Sequence, residues 1–385
     1  MAVPTFDAVI IGAGSVGAPL GFFLAEAGFK TLVIDKFPSV GQGSNKSAIG
    51  GIRATHSDPA KIQICLKSIE IFSTWKERYG DDIEWIAGGY SFVAYREHEE
   101  RVLKELLATQ KQYGLDIDWF DRDALLDVIP ALNPDGLLGG TFSPGDGSAS
   151  PLRSALAFYR LAREAGAEFN FGEEAIDIMV RGGRVTGVRT DRGVFSTDHV
   201  INAAGPWARE VAQMAGLDVP VVSESHEAGI TEPVAPFLRP MLVDIRPTDD
   251  SANYYFYQHT TGQVVFCITP SPPIVGTDRR ETSHFLPQVA RRMVNLVPRL
   301  RYLKVRRTWR GLYPMTPDGF PIVGRAPDLS GYLHAVGMCG QGYMLGPGLG
   351  PLLVRLIQDS LTESDRKVLD GMRPGRHFGK QERLQ

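Results

Sequence analysis

The stretch AVIIGAGSVGAPLGFFLAEAGFKTLVID, Ala8 to Asp35, limits what this chain can fold into more than any other. Phe6 to Ile11 is an apolar run of strand length, and Val16, Leu20, Phe23, Leu24 and Ala27 then recur at helical spacing until Gly28. Between them Gly12, Gly14 and Gly17 have the GxGxxG spacing. The first glycine serves a tight turn, the second a close approach of backbone to a pyrophosphate, and the third the packing of helix on strand. The phosphates of a dinucleotide would meet the helix N-terminus, where unpaired N–H groups favour negative charge. The next strand, KTLVID, ends at Asp35, 23 residues after Gly12, where a carboxylate can hold ribose hydroxyls. An acid at this position argues against a 2′-phosphate, hence against NADP, and leaves NAD and FAD open.

After Asp35 a Gly- and Ser-rich loop of about 15 residues is longer than a connection requires, which points to ligand contact. A helix follows, with Asp58 as N-cap, Pro59 at its first position, and a stripe of Ile62, Leu66, Ile69 and Phe72. Residues 83–140 read as an insertion, a short strand GGYSFVAY followed by two amphipathic helices. A helix from SASPLRSALAFYRLAREAG and three short strands then lead to VINAAG. Strand patterns dominate from Pro220 to about Gly311 and form a second excursion. Near the end, Gly337, Gly340, Gly342, Gly346, Gly348 and Gly350 cluster before a helix, with Pro347 and Pro351 expected in its early turns. A second glycine-rich turn so far from the first suggests backbone pressed against another part of the same ligand, as a dinucleotide with a large planar ring would need.

Composition narrows the partners. Forty-one Lys+Arg against 44 Asp+Glu give a formal charge of −3 with no long run of one sign, so neither nucleic acid nor an anionic membrane surface is expected. Cys65, Cys267 and Cys339 are widely spaced and form no CxxC pair; buried thiols in a reducing compartment are expected, and no metal site. MAVPTF enters the first strand without a basic or apolar leader, and no window holds about 18 uncharged apolar residues, so a soluble, cytoplasmic chain without a membrane span is expected.

The stretches VIIGAGSVGAPLGFFLAEAG, GSNKSAIGGIRATHSDP, VINAAGPWA, TPDGFPIVGRAPDLSGYLHAVGMCGQGYMLGPGLG and RPGRHF together carry a resemblance covering nearly the whole chain. The sequence resembles the D-amino-acid oxidase superfamily of FAD enzymes, and within it the sarcosine oxidases, glycine oxidases and dye-linked L-proline dehydrogenase β subunits. The resemblance implies an α/β fold in which a discontinuous Rossmann-type FAD-binding domain (1–82, 141–219 and 312–385) is interrupted by an α+β substrate-binding domain on a mixed sheet (83–140 and 220–311). It implies that Gly12, Gly14, Ser15, Val16 and Gly17 line the pyrophosphate, with Asp35 on the adenosine ribose and Lys36 beside it. Ser44, Ser47, Gly50 and Gly51 would fall in a loop that wraps the phosphates and reaches the flavin. Ala175 and Ile176 would offer backbone groups to the adenine. Ala204, Gly205 and Trp207 would lie near the cofactor, and Gly340, Gln341, Gly342, Tyr343 and Met344 would edge the pyrimidine end of the flavin.

The implied reaction moves a hydride equivalent from the α-carbon of an amino acid or secondary amine to flavin N5, leaving an imine that water hydrolyses. Arg53 matches the arginine that grips the substrate carboxylate, and Tyr313 an active-site tyrosine. Tyr254, Tyr255 and Tyr257 are candidates to roof the pocket, with Tyr255 expected on the face opposite the other two; His226, His259 and Glu232 rank lower. Three positions depart from the sarcosine oxidases. Gly311 replaces the cysteine that tethers FAD, so non-covalent FAD is expected. Met344 replaces a carboxylate-contacting lysine, and Val264 or Val265 the oxygen-activating lysine, which favours a dehydrogenase over an oxidase. The electron acceptor stays open among oxygen, a quinone and a partner subunit. A non-catalytic or electron-relay subunit of a hetero-oligomeric amine dehydrogenase and an NAD-dependent dehydrogenase are the alternative readings.

Overall fold

A computed structural model describes residues 3–379 and 381–384. At its centre is a six-stranded sheet in the order Ile322–Arg325, Tyr332–Val336, Val200–Asn202, Ala8–Ile11, Thr31–Asp35 and Glu168–Phe171. Neighbours are parallel except the outer pair Ile322–Arg325 and Tyr332–Val336. Strand periodicity divides the central side chains between two cores. Ala8, Ile10 and Val33 face a layer of helices that includes Gly17–Glu26, Pro59–Ser73, Pro151–Glu164 and Gly342–Ile357. Val9, Ile11, Leu32 and Ile34 face the other way, onto Ala175, Ile178, Val185 and Val188. Those residues belong to a second, four-stranded sheet of Thr5–Phe6, Val194–Thr197, Arg184–Thr190 and Ala175–Arg181. One face of the nucleotide-type sheet is therefore covered by strands in place of the usual helices.

The two excursions merge into one eight-stranded mixed sheet. Its order is Val305–Met315, Val222–Pro233, Gln263–Pro270, Ser251–Gln258, Met241–Asp244, Tyr90–Ala94, Gly139–Ser143 and Asp118–Asp121. The joint is the parallel pairing of Met241–Asp244 with Tyr90–Ala94, which brings chain from the first excursion beside chain from the second. Strands Gly139–Ser143 and Val305–Met315 run across positions 141 and 312. Behind the sheet, Tyr254, Phe256, Val264 and Phe266 pack on Phe285, Val289 and Met293 of helix Phe285–Leu296. The expected helix start is observed: Asp58 caps Pro59–Ser73 and accepts from Ala60 N–H at 2.9 Å.

Two local expectations are corrected. Tyr254 lies in the core behind the sheet, whereas Tyr255 and Tyr257 share the opposite face; a period of two places 255 with 257 and leaves 254 alone. The prolines of Gly342–Ile357 are interior: Pro347 and Pro351 stand at its sixth and tenth positions. Each lacks the N–H that would bond the carbonyl four residues back, so the Tyr343 and Pro347 carbonyls lose their intrahelical donors.

Candidate active site

One large cavity runs from the glycine turn to the face of the eight-stranded sheet. The three glycines of the turn have separate duties. Gly12 has φ +109°, and a Cβ there would stand 2.5 Å from the Ala203 carbonyl oxygen. A Cβ on Gly17 would strike the Gly12 carbonyl, so this glycine serves helix-on-turn packing and does not line the cavity. Gly14 lines the cavity, and a Cβ there would meet no protein atom within 4 Å. That open space lies where the spacing places a pyrophosphate.

Gly14, Ser15 and Val16 meet Asp35 and Lys36 at one end of the cavity. The Asp35 carboxylate accepts from Ala13 N–H at 2.7 Å and Phe37 N–H at 2.8 Å, so it braces the turn as well as facing the cavity. Burial raises its pKa against those bonds. Lys36 Nζ lies 4.3 Å from the centroid of Trp207, which lines the same end with Ala175, Ala204 and Gly205. Ile176 is 51% exposed and lies outside the lining.

The loop carrying Ser44, Ser47, Gly50 and Gly51 lines the cavity together with Arg53, and Gly340 to Met344 line it as well. The hydroxyl of Ser44 and Oε1 of Gln341 are buried without a hydrogen-bond partner among the described residues. Two orphaned polar atoms in the lining fit a ligand that supplies both a donor and an acceptor. The C-terminal glycine cluster divides. Gly340 and Gly342 line the cavity, but Gly346 is pressed on the Ser15 carbonyl, Gly348 on helix Pro59–Ser73 and Gly350 on the Phe23 ring. Gly337 is packed on Thr316, so only Gly340 and Gly342 of the cluster face the cavity, while Gly346 to Gly350 let their helix pack closely on the nucleotide turn and its neighbouring helices.

At the sheet end, four strands place Tyr255, Cys267, His226 and Tyr313 on one face. Tyr255 and Tyr313 share a 2.6 Å hydroxyl–hydroxyl bond, and His226 stacks on Tyr313 with centroids 3.8 Å apart. Tyr313 in turn covers Gly340, where any Cβ would collide with its ring. Burial holds both phenols well above their ordinary pKa, so both stay protonated. One hydroxyl hydrogen is used between them, and Cys267 Sγ lies 3.9 Å from the Tyr313 hydroxyl, where either group can donate. Burial lowers the pKa of His226, opposed by Glu224 at 3.8 Å, and neither of its ring nitrogens has a partner within hydrogen-bond distance among the described residues. Burial pushes the Cys267 thiol up to about 11 and also raises Cys339, so neither cavity thiol is a thiolate at neutral pH.

Arg53 is buried and lines the cavity. Its guanidinium donates to the Thr55 carbonyl, to His56 Nδ1 at 3.1 Å and to the Leu384 carbonyl at 2.5 Å, with no carboxylate bonded to it among the described residues. Met344 lines the cavity as well. Val264 and Val265 do not, nor do His259 and Glu232. His226 and Cys267 carry more of the site than sequence reasoning assigned them. The available signal was cross-strand pairing, since Cys267 stands opposite Tyr255 in register and His226 opposite Gly311, two residues before Tyr313.

A nucleotide turn opening into an aromatic, polar chamber against a mixed sheet is the arrangement of a dinucleotide-dependent oxidoreductase. The chain belongs to the DAO family of FAD dependent oxidoreductases, which it matches over residues 7–356. It is 28% identical to glycine oxidase of Geobacillus kaustophilus, over 97% of this chain and 98% of that one. It is 27% identical to hydrogen cyanide synthase subunit HcnC of Pseudomonas aeruginosa, over 94% of each. Mitochondrial sarcosine dehydrogenase of Mus musculus is 26% identical, but the match spans only 41% of that protein. Among solved structures, L-proline dehydrogenase from P. horikoshii superposes with a TM-score of 0.88 at 27% identity, covering 97% of this chain and 100% of that chain. FAD is the cofactor of this fold, and the orphaned Ser44 and Gln341 atoms, the open space at Gly14 and the Asp35 end of the cavity fit it. Among the described residues no helix is long and apolar enough to cross a membrane.

Proposed function

We propose that this protein oxidises the C–N bond of an amino acid or N-substituted amino acid, with Arg53 as the carboxylate ligand. The observation that carries this reading is a buried guanidinium that lines the cavity and has no acid bonded to it among the described residues. Bound FAD supplies the acceptor for the hydride equivalent leaving the substrate α-carbon. Arg53 offers a carboxylate a charged, directional contact and thereby orients the α-carbon. The Tyr255–Tyr313 pair, with Cys267 beside it, presents hydroxyls that can bond the substrate. Neutral His226 presents an acceptor or a donor without adding charge. The acids of the lining among the described residues are Asp35, Glu173, Glu174 and Glu210, and Glu224, outside the lining, stands opposite Tyr313 in register and 3.8 Å from His226; loss of hydride from the α-carbon requires the amine unprotonated. The names of the relatives, which include a glycine oxidase and a sarcosine dehydrogenase, support this substrate class.

Gly311, which has no thiol, supports non-covalent attachment of FAD; acid precipitation should leave a colourless pellet and a yellow supernatant. The only cations in the lining among the described residues are Lys36 and Arg53, and Lys36 sits with Trp207 at the nucleotide end. That favours a dehydrogenase using a quinone or a partner protein over an oxidase. The glycine oxidase relative keeps oxygen as the competing acceptor, and the HcnC relative, named a subunit, supports a hetero-oligomer as a second reading. The six-stranded sheet supports residues 1–82, 141–219 and 312–385 as the cofactor-binding unit, and the eight-stranded sheet supports 83–140 and 220–311 as the substrate unit.

Arg53→Met tests the reading. Loss of about 3 kcal/mol of charged contact raises KM for a carboxylated amine by about a hundredfold or more. An unchanged KM would remove Arg53 from the role.

A further inference from the structure

We propose that the segment 381–384 positions Arg53 for an anionic ligand, with Glu382 and the Leu384 carbonyl as positioning elements; this rests on the reading of Arg53 given above. The guanidinium carries five N–H hydrogens. Two on Nη1 are spent on the Thr55 carbonyl and His56 Nδ1, and one on Nη2 is spent on the Leu384 carbonyl. The Nε hydrogen and the second Nη2 hydrogen have no partner among the described residues. Those two nitrogens share one edge of the guanidinium plane, the edge that matches the two oxygens of a carboxylate. Arg53 lines the cavity while Leu384 and His56 do not, so the spent donors anchor the group from behind.

The anchor is itself built on buried charge. Leu384 is fully buried, and its N–H donates to Glu382 Oε1 at 3.0 Å. The same oxygen accepts from Ser57 N–H at 3.1 Å and from the Ser57 hydroxyl at 2.5 Å, while Arg383 N–H donates to that hydroxyl oxygen at 3.1 Å. Glu382 Oε2 lies 3.1 Å from Lys61 Nζ, with both side chains at 0% exposure, and Lys61 also donates to the Gly319 carbonyl at 2.7 Å. An ion pair taken fully out of water is weak evidence for stability, but it fixes one arrangement, because each charge left without the other is costly. Here the arrangement it fixes places a carbonyl oxygen 331 residues away in sequence on the Arg53 guanidinium. A neutral His56 completes the set: burial first, then the charges of Arg53 and Lys61, lower its pKa against Glu382, leaving Nδ1 free to accept.

The test uses FAD-loaded protein and titrates acetate, read by the visible spectrum of the bound flavin, with neutral acetamide as the control. Wild type is compared with a chain ending at Gly379, with Glu382→Gln and with Arg53→Met. Loss of one buried charged hydrogen bond is expected to raise the acetate Kd about tenfold in the shortened chain, with a smaller rise in Glu382→Gln. The acetamide Kd and the FAD content are expected to stay at their wild-type values. Wild-type acetate affinity in either variant, or equal weakening of acetate and acetamide, overturns the positioning role. If the shortened chain does not hold FAD, Glu382→Gln decides by the same ratio. Arg53→Met protein that binds acetate as wild type does, or wild type that shows no acetate response, overturns the Arg53 reading instead.

Discussion

The hydroxyls of Tyr255 and Tyr313 meet at 2.6 Å although their strands, Ser251–Gln258 and Val305–Met315, are separated in the sheet by two others. The strands between them contribute Cys267 and His226 to the same face.

Because each hydroxyl is the other's bonded partner, the two should not contribute independently. In a double-mutant cycle of Tyr255→Phe and Tyr313→Phe, each single change is expected to lower stability, with a coupling of about 1 kcal/mol between them. Strict additivity in denaturant unfolding would show that the hydroxyls do not interact in solution.

Two glycines should fail in different ways. Gly14→Ala adds a methyl where no protein atom lies within 4 Å, so the FAD-free protein should keep its stability while FAD affinity drops by about tenfold or more. Gly346→Ala drives a methyl into the Ser15 carbonyl and should lower the stability of the FAD-free protein by about 1–3 kcal/mol. Thermal unfolding with and without FAD separates the two, and an unchanged FAD affinity in Gly14→Ala would contradict the placement of the pyrophosphate.

Much of this was legible in sequence because it depends on local pattern. The turn at Gly12, Gly14 and Gly17 needed only glycine spacing, and the cap at Asp58 only its position before Pro59. What was not legible depends on who faces whom across the fold. Gly346 and Gly350 read like ligand-facing glycines until Ser15 and Phe23 are seen against them. Arg53 could be matched to a role, but its neighbour Leu384 lies 331 positions away and belongs to no motif. Cys267 became a site residue, and His226 rose above the other low-ranked candidates, only once strand register set them beside Tyr255 and Tyr313.

The buried Asp146 gives a pH signature. Its carboxyl accepts from Ala54 N–H at 2.8 Å and from the Thr55 hydroxyl at 2.7 Å, yet burial outweighs these bonds and pushes its pKa from 3.8 up to about 6. The folded chain therefore holds this proton more tightly than the unfolded chain does. Its stabilising effect is full below pH 3.8 and is lost as pH rises through about 6, a change of about 3 kcal/mol. Asp146→Asn removes the titration, so its stability relative to wild type should rise across that window and be flat above it. A constant difference from pH 4 to 8 would contradict the raised pKa.

The central claim is that a carboxylated amine held by Arg53 delivers its electrons to FAD in this chain. The most direct measurement adds amino acids and N-methyl amino acids, each paired with the corresponding amine lacking the carboxylate, to the FAD-loaded protein without oxygen. Loss of the flavin's visible absorbance with at least one carboxylated member, and not with its decarboxylated partner, is the predicted result. A flavin that dithionite bleaches fully but that no carboxylated amine reduces would contradict the account.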